Sequence, residues 1–119
     1  MTVRTEAGAV ADAYLTAFRT GDAEIFAGLF DAQGTFTYVG EDGAVQGTAP
    51  VSDLLGKWAE RSDPGTAVSR VGVHAADDSL AVVELDFDQG TLAFRDVLVV
   101  ARVEDTWKIV SKVSRLRTG

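Results

Sequence analysis

The stretch Gly90–Val113, GTLAFRDVLVVARVEDTWKIVSKV, is typical of two strands joined by a tight turn. Two charged residues, Arg95 and Asp96, interrupt the apolar run near the start of the first strand. Neighbouring side chains on a strand point to opposite faces, so these two charges are not expected to pair. Both faces are apolar beyond residue 96. The strand is therefore predicted to be covered on both sides, by helices on one and by a second copy of the chain on the other.

The composition narrows the class of protein. A length of 119 residues predicts a single domain over residues 1–119. There is no cysteine, which excludes disulfides and thiolate metal sites. The net charge of −7 disfavours binding to nucleic acid or to an anionic membrane surface. No stretch approaches the roughly 20 apolar residues of a membrane span, and the first residues lack the pattern of a signal peptide, so a cytoplasmic protein is expected.

Three helices are predicted in the first half of the chain from apolar residues at helical spacing. The first covers 6–19, between a cap at Thr5 and a left-handed end at Gly21. The second begins after Asp22, and the third has Pro50 in its first turn. Their apolar stripes are, in order, Val10, Tyr14, Leu15 and Phe18, then Ile25, Phe26, Leu29 and Phe30, then Val51, Leu54, Leu55 and Trp58.

Strands follow the helices. A strand at 34–40 with a short return is followed by strands at 67–75, 80–88, 91–103 and 107–116, joined by links of hairpin length. Helices first and an antiparallel meander afterwards indicate the α+β class. We expect a strongly curved antiparallel sheet, shaped like a cone, with three N-terminal helices packed on its concave face.

A cone of this kind has room for a pocket at its mouth. Asp96 shares a strand face with Phe94, which we take as the pocket side, and it is the candidate catalytic acid–base. Aromatic side chains from other segments are expected to line the pocket with it. The predicted ligand-binding residues are Tyr14, Phe18, Tyr38, Trp58, Phe94 and Asp96.

Asp96 also has a purely structural interpretation, a salt bridge to a basic residue of the last strand. The geometry depends on the turn: a two-residue turn sets Lys112 opposite Val97, and a three-residue turn sets it opposite Leu98. The sequence leaves this open. It also contains one histidine, His74, so a histidine cluster for zinc is impossible, and neither a metal nor a cofactor is expected.

Further along the chain, Glu84, Asp86 and Asp88 alternate with apolar residues, which is typical of a strand with one solvent-exposed face. A carboxylate metal site that combines Asp86 and Asp88 with Asp96 has no recognisable spacing. Solvent exposure is therefore the expectation for the three alternating acids.

The order of elements, with AYLTAFRTGDAEIFAGLFDAQGTFTYVG at 13–40 and FRDVLVVARVEDTWKIVSKV at 94–113, resembles the nuclear transport factor 2-like superfamily. Within it, the chain is similar to lumazine-binding-like proteins and to SnoaL-like polyketide cyclases. The resemblance implies a cystatin-like roll with one deep pocket and a homodimer formed through the outer face of the sheet.

The resemblance also bears on chemistry. Ketosteroid isomerase, in the same superfamily, uses an aspartate base with a tyrosine and a protonated aspartate as an oxyanion hole. Only the tyrosine has a counterpart here, in Tyr14; the base falls on Tyr38 and the oxyanion acid on Val99. In a SnoaL-like cyclase, the acid–base aspartate would correspond to Asp96.

These residues and the resemblance leave three functions open. The first is a small-molecule-binding protein for an apolar or aromatic ligand, with no assured catalytic set. The alternative is a cyclase, isomerase or dehydratase that uses Asp96 as acid–base. The third is a non-catalytic dimeric interaction module, for which the cone would be filled by Phe18, Phe30, Phe36 and Trp58.

Overall fold

The structure is a computed structural model that describes residues 2–117. Its helices are α1, Val3–Thr20; α2, Ala23–Leu29; and α3, Leu55–Glu60, which follows a 3-10 turn at Val51–Asp53. Its strands are β1, Phe30–Val39; β2, Val45–Pro50; β3, Ala67–Ala75; β4, Leu80–Gln89; β5, Leu92–Val103; and β6, Thr106–Leu116. No helix within 2–117 is long and apolar enough to cross a membrane.

The six strands form one curved sheet in the order β2-β1-β6-β5-β4-β3. The predicted α+β class and the helix-covered curved sheet are confirmed, with one difference: β1 pairs with β6 in parallel, so the sheet is mixed. The other four pairs are antiparallel. A hairpin turn forces its two strands to run antiparallel, but β1 and β6 are distant in sequence and no turn fixes their direction.

The observed start of helix α1 differs from the predicted start by a few residues. Helix α1 begins at Val3, because the Thr2 hydroxyl accepts a hydrogen bond from the backbone N–H of Thr5 and so caps the helix earlier than predicted. Its end at Gly21 is as predicted: this residue has φ +69°, and its N–H bonds to the carbonyl of Ala17.

Two residues predicted to lie in helices belong to strands. Phe30 has an extended backbone and begins β1, where it pairs with Ile109 of β6. Pro50 ends β2 opposite Thr35, and its missing N–H is tolerated because β2 is an edge strand. In both cases pairing within the sheet takes precedence over helical periodicity.

The core lies between the helices and the inner face of the sheet. Helix α1 crosses this face and makes contacts with β3, β4 and β6. Alternate residues of β4 point towards the helix, as the period of a strand requires. The buried residues of these two elements are Ala7, Val10, Ala11, Tyr14, Leu15, Ala17 and Phe18 from α1, and Ala81, Val83, Leu85 and Phe87 from β4.

The outer face of the sheet carries an ion-pair network that the alternating pattern of β4 did not predict. The predicted exposure of Asp86 is wrong: its side chain is 8% exposed, while the side chain of Glu84 is 49% exposed. The Asp86 carboxylate lies 2.8 Å from Nε of Arg95 and 3.3 Å from Nε of Arg70. The hydrogen bond from Arg95 lowers the pKa of Asp86. Arg95 therefore faces outward, and its partner is cross-strand Asp86 rather than its neighbour Asp96.

Candidate functional site

The register of β5 and β6 decides which side chains enter the cone. The turn is the two-residue kind, at Glu104 and Asp105, both with positive φ. This turn alone would set Lys112 opposite Val97, on the outer face. A bulge shifts the register between Val99 and Val100, so Lys112 lies opposite Leu98 instead. The structure thus has the two-residue turn of the first alternative and the Leu98 partner of the second, because neither alternative included a bulge.

The bulge brings β6 side chains to Asp96 on the inner face. Asp96 is 1% exposed and lies opposite Ser114. The Ser114 hydroxyl donates to Oδ1 of Asp96 at 2.5 Å, and the Tyr14 hydroxyl donates to Oδ2 at 2.5 Å. Nζ of Lys112 lies 3.9 Å from the same Oδ2. Asp96 is therefore both a carboxylate at the inner face and the ionic partner of Lys112.

Lys112 is enclosed by aromatic rings. Its Nζ lies 3.8 Å from the centre of the Trp58 ring. Three more rings, those of Tyr14, Phe18 and Phe36, have their centres 5.1 to 5.3 Å from Nζ. Burial in this apolar cage lowers the pKa of Lys112 to about 8; the Asp96 charge opposes this shift and the Arg61 charge adds to it.

The Tyr14 hydroxyl is also strongly perturbed. Tyr14 is completely buried. Burial raises its pKa well above the usual value, and the negative charge and hydrogen bond of Asp96 raise it further. Tyr14 is therefore a persistent hydrogen-bond donor to Asp96 throughout the neutral range.

A cavity of about 90 Å³ lies beside this cluster. We call it the inner cavity; its wall is formed by Phe18, Phe36, Tyr38, Trp58, Arg61, Phe87, Gln89, Phe94, Asp96, Lys112 and Ser114. An outer cavity of about 400 Å³ is lined by Phe36, Tyr38, Leu54, Lys57, Trp58, Arg61, Leu92, Phe94 and Leu116. Five wall residues are common to both, so the two cavities adjoin.

Most of the predicted ligand-binding residues meet at the inner cavity. Its wall includes Phe18, Tyr38, Trp58, Phe94 and Asp96, whereas Tyr14 lies outside both walls and reaches the site only through its hydrogen bond to Asp96.

Six wall residues were not predicted to bind a ligand, and of these Lys112 was predicted only as a salt-bridge partner. The six are Phe36, Arg61, Phe87, Gln89, Lys112 and Ser114. By simple alternation Lys112 and Ser114 share a strand face with Thr106 and Lys108, so the sequence contained no signal that set these two residues apart. Asp86 faces away from Asp96, and no group of metal-binding side chains occurs in residues 2–117.

The side chains that line the two cavities carry a net positive charge, whereas the whole chain is negatively charged. Their walls contain three cationic side chains, Lys57, Arg61 and Lys112, and one carboxylate, Asp96. The chain as a whole carries −7. An anionic group would therefore be repelled by most of the surface and attracted to this site.

Comparison with known proteins supports the fold. Residues 2–115 match the family described as "Putative lumazine-binding". No curated protein matches the sequence.

Among solved structures, an NTF2-like protein of unknown function from Shewanella baltica OS155 is 21% identical, covering 100% of this chain and 99% of its own, with a TM-score of 0.74. A cystatin-like fold protein from Burkholderia xenovorans LB400 is 23% identical over 97% of this chain and 92% of its own, with a TM-score of 0.74. A "putative ketosteroid isomerase" from Parabacteroides distasonis ATCC 8503 is 16% identical over 92% of this chain and 86% of its own, with a TM-score of 0.69.

Proposed function

This chain belongs to the family described as "Putative lumazine-binding", and we propose that it binds a small molecule with a flat apolar body and one anionic or carbonyl end. The body would lie in the outer cavity, and the polar end would enter the inner cavity next to Lys112. This keeps the expectation of an apolar or aromatic ligand but moves the polar anchor from Asp96, as the sequence suggested, to Lys112.

The observation that carries the proposal is the unused hydrogen-bonding capacity of Lys112. Its side chain is 4% exposed. Its nearest ionic partner within the described residues, Oδ2 of Asp96, is 3.9 Å away, which is beyond hydrogen-bond length. Nζ of Lys112 has no hydrogen-bond partner among residues 2–117. Every side-chain N or O atom in this range that is fully enclosed does have such a partner, so Nζ is not fully enclosed, and it lies at the wall of the inner cavity. A ligand oxygen there would satisfy a costly buried charge.

The dimensions and walls support a ligand of this form. The inner cavity, at about 90 Å³, has space for a polar end group but not for a bicyclic ring. The outer cavity, at about 400 Å³, falls within the usual range of small-molecule sites. Phe36, Trp58 and Phe94 line both cavities and present ring surfaces for stacking.

Three matched probes test the proposal: benzoate, benzyl alcohol and benzylamine share a ring and differ in charge. We expect calorimetry to give an affinity order of benzoate, then benzyl alcohol, then benzylamine, with perturbation of the Trp58 indole signal in NMR spectra. Lumazine, a flat heterocycle with carbonyl oxygens, is a further probe suggested by the family description. Benzylamine binding as tightly as benzoate, or no probe perturbing Trp58, would contradict the proposal.

Acid–base catalysis by Asp96 is the second candidate. It is favoured by one observation, namely that a nearly completely buried carboxylate forms part of the inner cavity wall. The test is exchange of the α-hydrogens of acetophenone in D2O, followed by NMR. Catalysis requires faster exchange with the wild-type protein than with Asp96→Asn, and equal rates would exclude this role for Asp96.

We also propose that the protein forms a homodimer through the outer face of the sheet. Val82, Val97 and Val99 lie side by side there on β4 and β5. The helices pack on the opposite face of the sheet and leave these three valines partly exposed. The Asp86–Arg95 ion pair beside them neutralises charge at this surface. A second copy would cover the valines with the same residues, as a twofold interface requires.

A further inference from the structure

Lys112 has the surroundings of a reactive amine. It is held by the bulge of β6 in an aromatic cage, with Nζ 3.8 Å from the Trp58 ring centre and open to the inner cavity. A desolvated lysine amine is a recognised nucleophile towards carbonyl carbon. The two other lysines of the chain differ: Lys57 is exposed, and Nζ of Lys108 donates to the backbone carbonyl of Gly28 at 2.5 Å.

We propose that Lys112 forms a reversible imine with an aldehyde or ketone that enters the inner cavity. This inference rests on the proposed function, because the carbonyl compound must occupy the same site as the ligand described above. It specifies the chemical class of that ligand further, as a compound with an aromatic or apolar body and a reactive carbonyl end.

The protonation state of Lys112 supports this reactivity. Burial lowers the pKa of the amine to about 8, so about a tenth of it is neutral near pH 7, compared with less than roughly one part in a thousand for an ordinary lysine. The titratable and charged groups that face it are Asp96 on β5, Tyr14 on α1, Tyr38 on β1 and Arg61 after α3. Of these, the Asp96 charge favours the ammonium form and the Arg61 charge opposes it.

The reaction is balanced without any other reactant. The Nζ lone pair attacks the carbonyl carbon, a C–N bond forms, and the carbonyl π electrons move to oxygen, which gains the proton that nitrogen loses. The C–O bond of this carbinolamine then breaks, oxygen leaves as water, and the imine remains. Asp96, whose Oδ2 lies 3.9 Å from Nζ, is placed to take the proton from nitrogen and return it to the departing hydroxyl.

The test is reductive trapping on the purified full chain. The protein is incubated with benzaldehyde and sodium cyanoborohydride near pH 8, which converts an imine into a stable secondary amine, and peptide mass mapping then locates the benzyl group. We expect Lys112 to be labelled at least tenfold faster than Lys57 and Lys108. The labelling rate should increase with pH along a titration curve whose midpoint is near 8, the pKa of Lys112. Excess benzoate should suppress the labelling.

The mapping is done on the wild-type protein, so it does not depend on any variant folding. Lys112→Arg retains the charge and is the control: its label at this position should disappear while that on Lys57 is unchanged. Label on Lys57, Lys108 or the terminal amine without preference for Lys112 would overturn the inference. Benzoate binding without Lys112 labelling would refute the imine and leave the proposed function standing, whereas absence of both would refute both.

Discussion

The Tyr14 hydroxyl on α1 donates a 2.5 Å hydrogen bond to Oδ2 of Asp96 on β5, joining residues 82 positions apart in sequence. Through this bond the first helix fixes the carboxylate that lies beside Lys112. The contact links the packing of the helix on the sheet to the geometry of the candidate site. Its energetic contribution can be measured directly.

Replacing Tyr14 with Phe is expected to destabilise the protein by about 1–3 kcal/mol, because a buried carboxylate loses a hydrogen-bond donor. The measurement is the free energy of unfolding from urea titration. Tyr38→Phe is the matched control, since Tyr38 is a half-buried residue whose hydroxyl has no hydrogen-bond partner in the described range; it should change stability by less than about 0.5 kcal/mol. Equal effects of the two substitutions would contradict a specific role for the Tyr14–Asp96 bond.

Asp96→Asn tests the ion pair with Lys112. The substitution leaves a buried ammonium without its counter-charge, and removal of one partner from a buried pair typically costs about 3–5 kcal/mol. We expect this loss near pH 7 and a smaller loss above pH 8, where the Lys112 amine is neutral. The control is Asp88→Asn, which breaks the exposed pair with Arg117 and should cost less than about 1 kcal/mol.

Unchanged or increased stability of Asp96→Asn would show instead that Asp96 is retained for function. Residues kept for chemistry are often unfavourable for folding, and their removal then improves stability.

The pH dependence of stability follows from Lys112. In the unfolded chain a lysine holds its proton up to about pH 10.4, whereas the folded amine loses it above about pH 8. Between these values the unfolded state binds more protons, so stability should rise with pH, by at most about 1.4 kcal/mol per pH unit. Tyr14, with its raised pKa, acts in the opposite direction but only from about pH 10, where an unfolded tyrosine ionises.

Urea titrations at several pH values between about 8 and 9.5 test this window. The rise should be absent in Lys112→Met and retained in Lys57→Met, which removes an exposed lysine. If the slope persists in Lys112→Met, another group is responsible for it.

Arg61→Gln tests the charge of the site. Arg61 lines both cavities, so its removal should weaken benzoate binding by about tenfold and leave benzyl alcohol binding nearly unchanged. Arg4→Gln, at an exposed position on α1, is the control for the overall change in charge. Equal loss of benzoate affinity in both variants would show that the effect is long-range and not local to the cavities.

The proposed dimer predicts the behaviour of Val97→Asp. A carboxylate at the centre of the outer face should prevent association, so sedimentation should give a dimer for the wild type and a monomer for this variant. Val45→Asp, at a position that is 65% exposed on the edge strand β2, should remain a dimer. A wild-type protein that sediments as a monomer at all concentrations would disprove the assembly.

Local patterns in the sequence determined the α+β class, the number of helices, the last four strands and the strand face that Asp96 shares with Phe94. They did so because the periods of helices and strands are properties of the backbone alone. Gly21 as a helix end has the same origin. The sequence also supplied five of the residues that line the inner cavity, since aromatic side chains on inward-facing positions have few alternatives.

Tertiary structure alone decided the polar half of the site. The bulge at Val99–Val100 reverses the direction of Lys112, and no local pattern marks where a strand will accommodate an extra residue. The parallel pairing of β1 with β6 likewise depends on contacts between distant segments. The ion pairs of Asp96 with Lys112 and of Asp86 with Arg95 depend on cross-strand register, which becomes definite only when the whole sheet has formed against its helices.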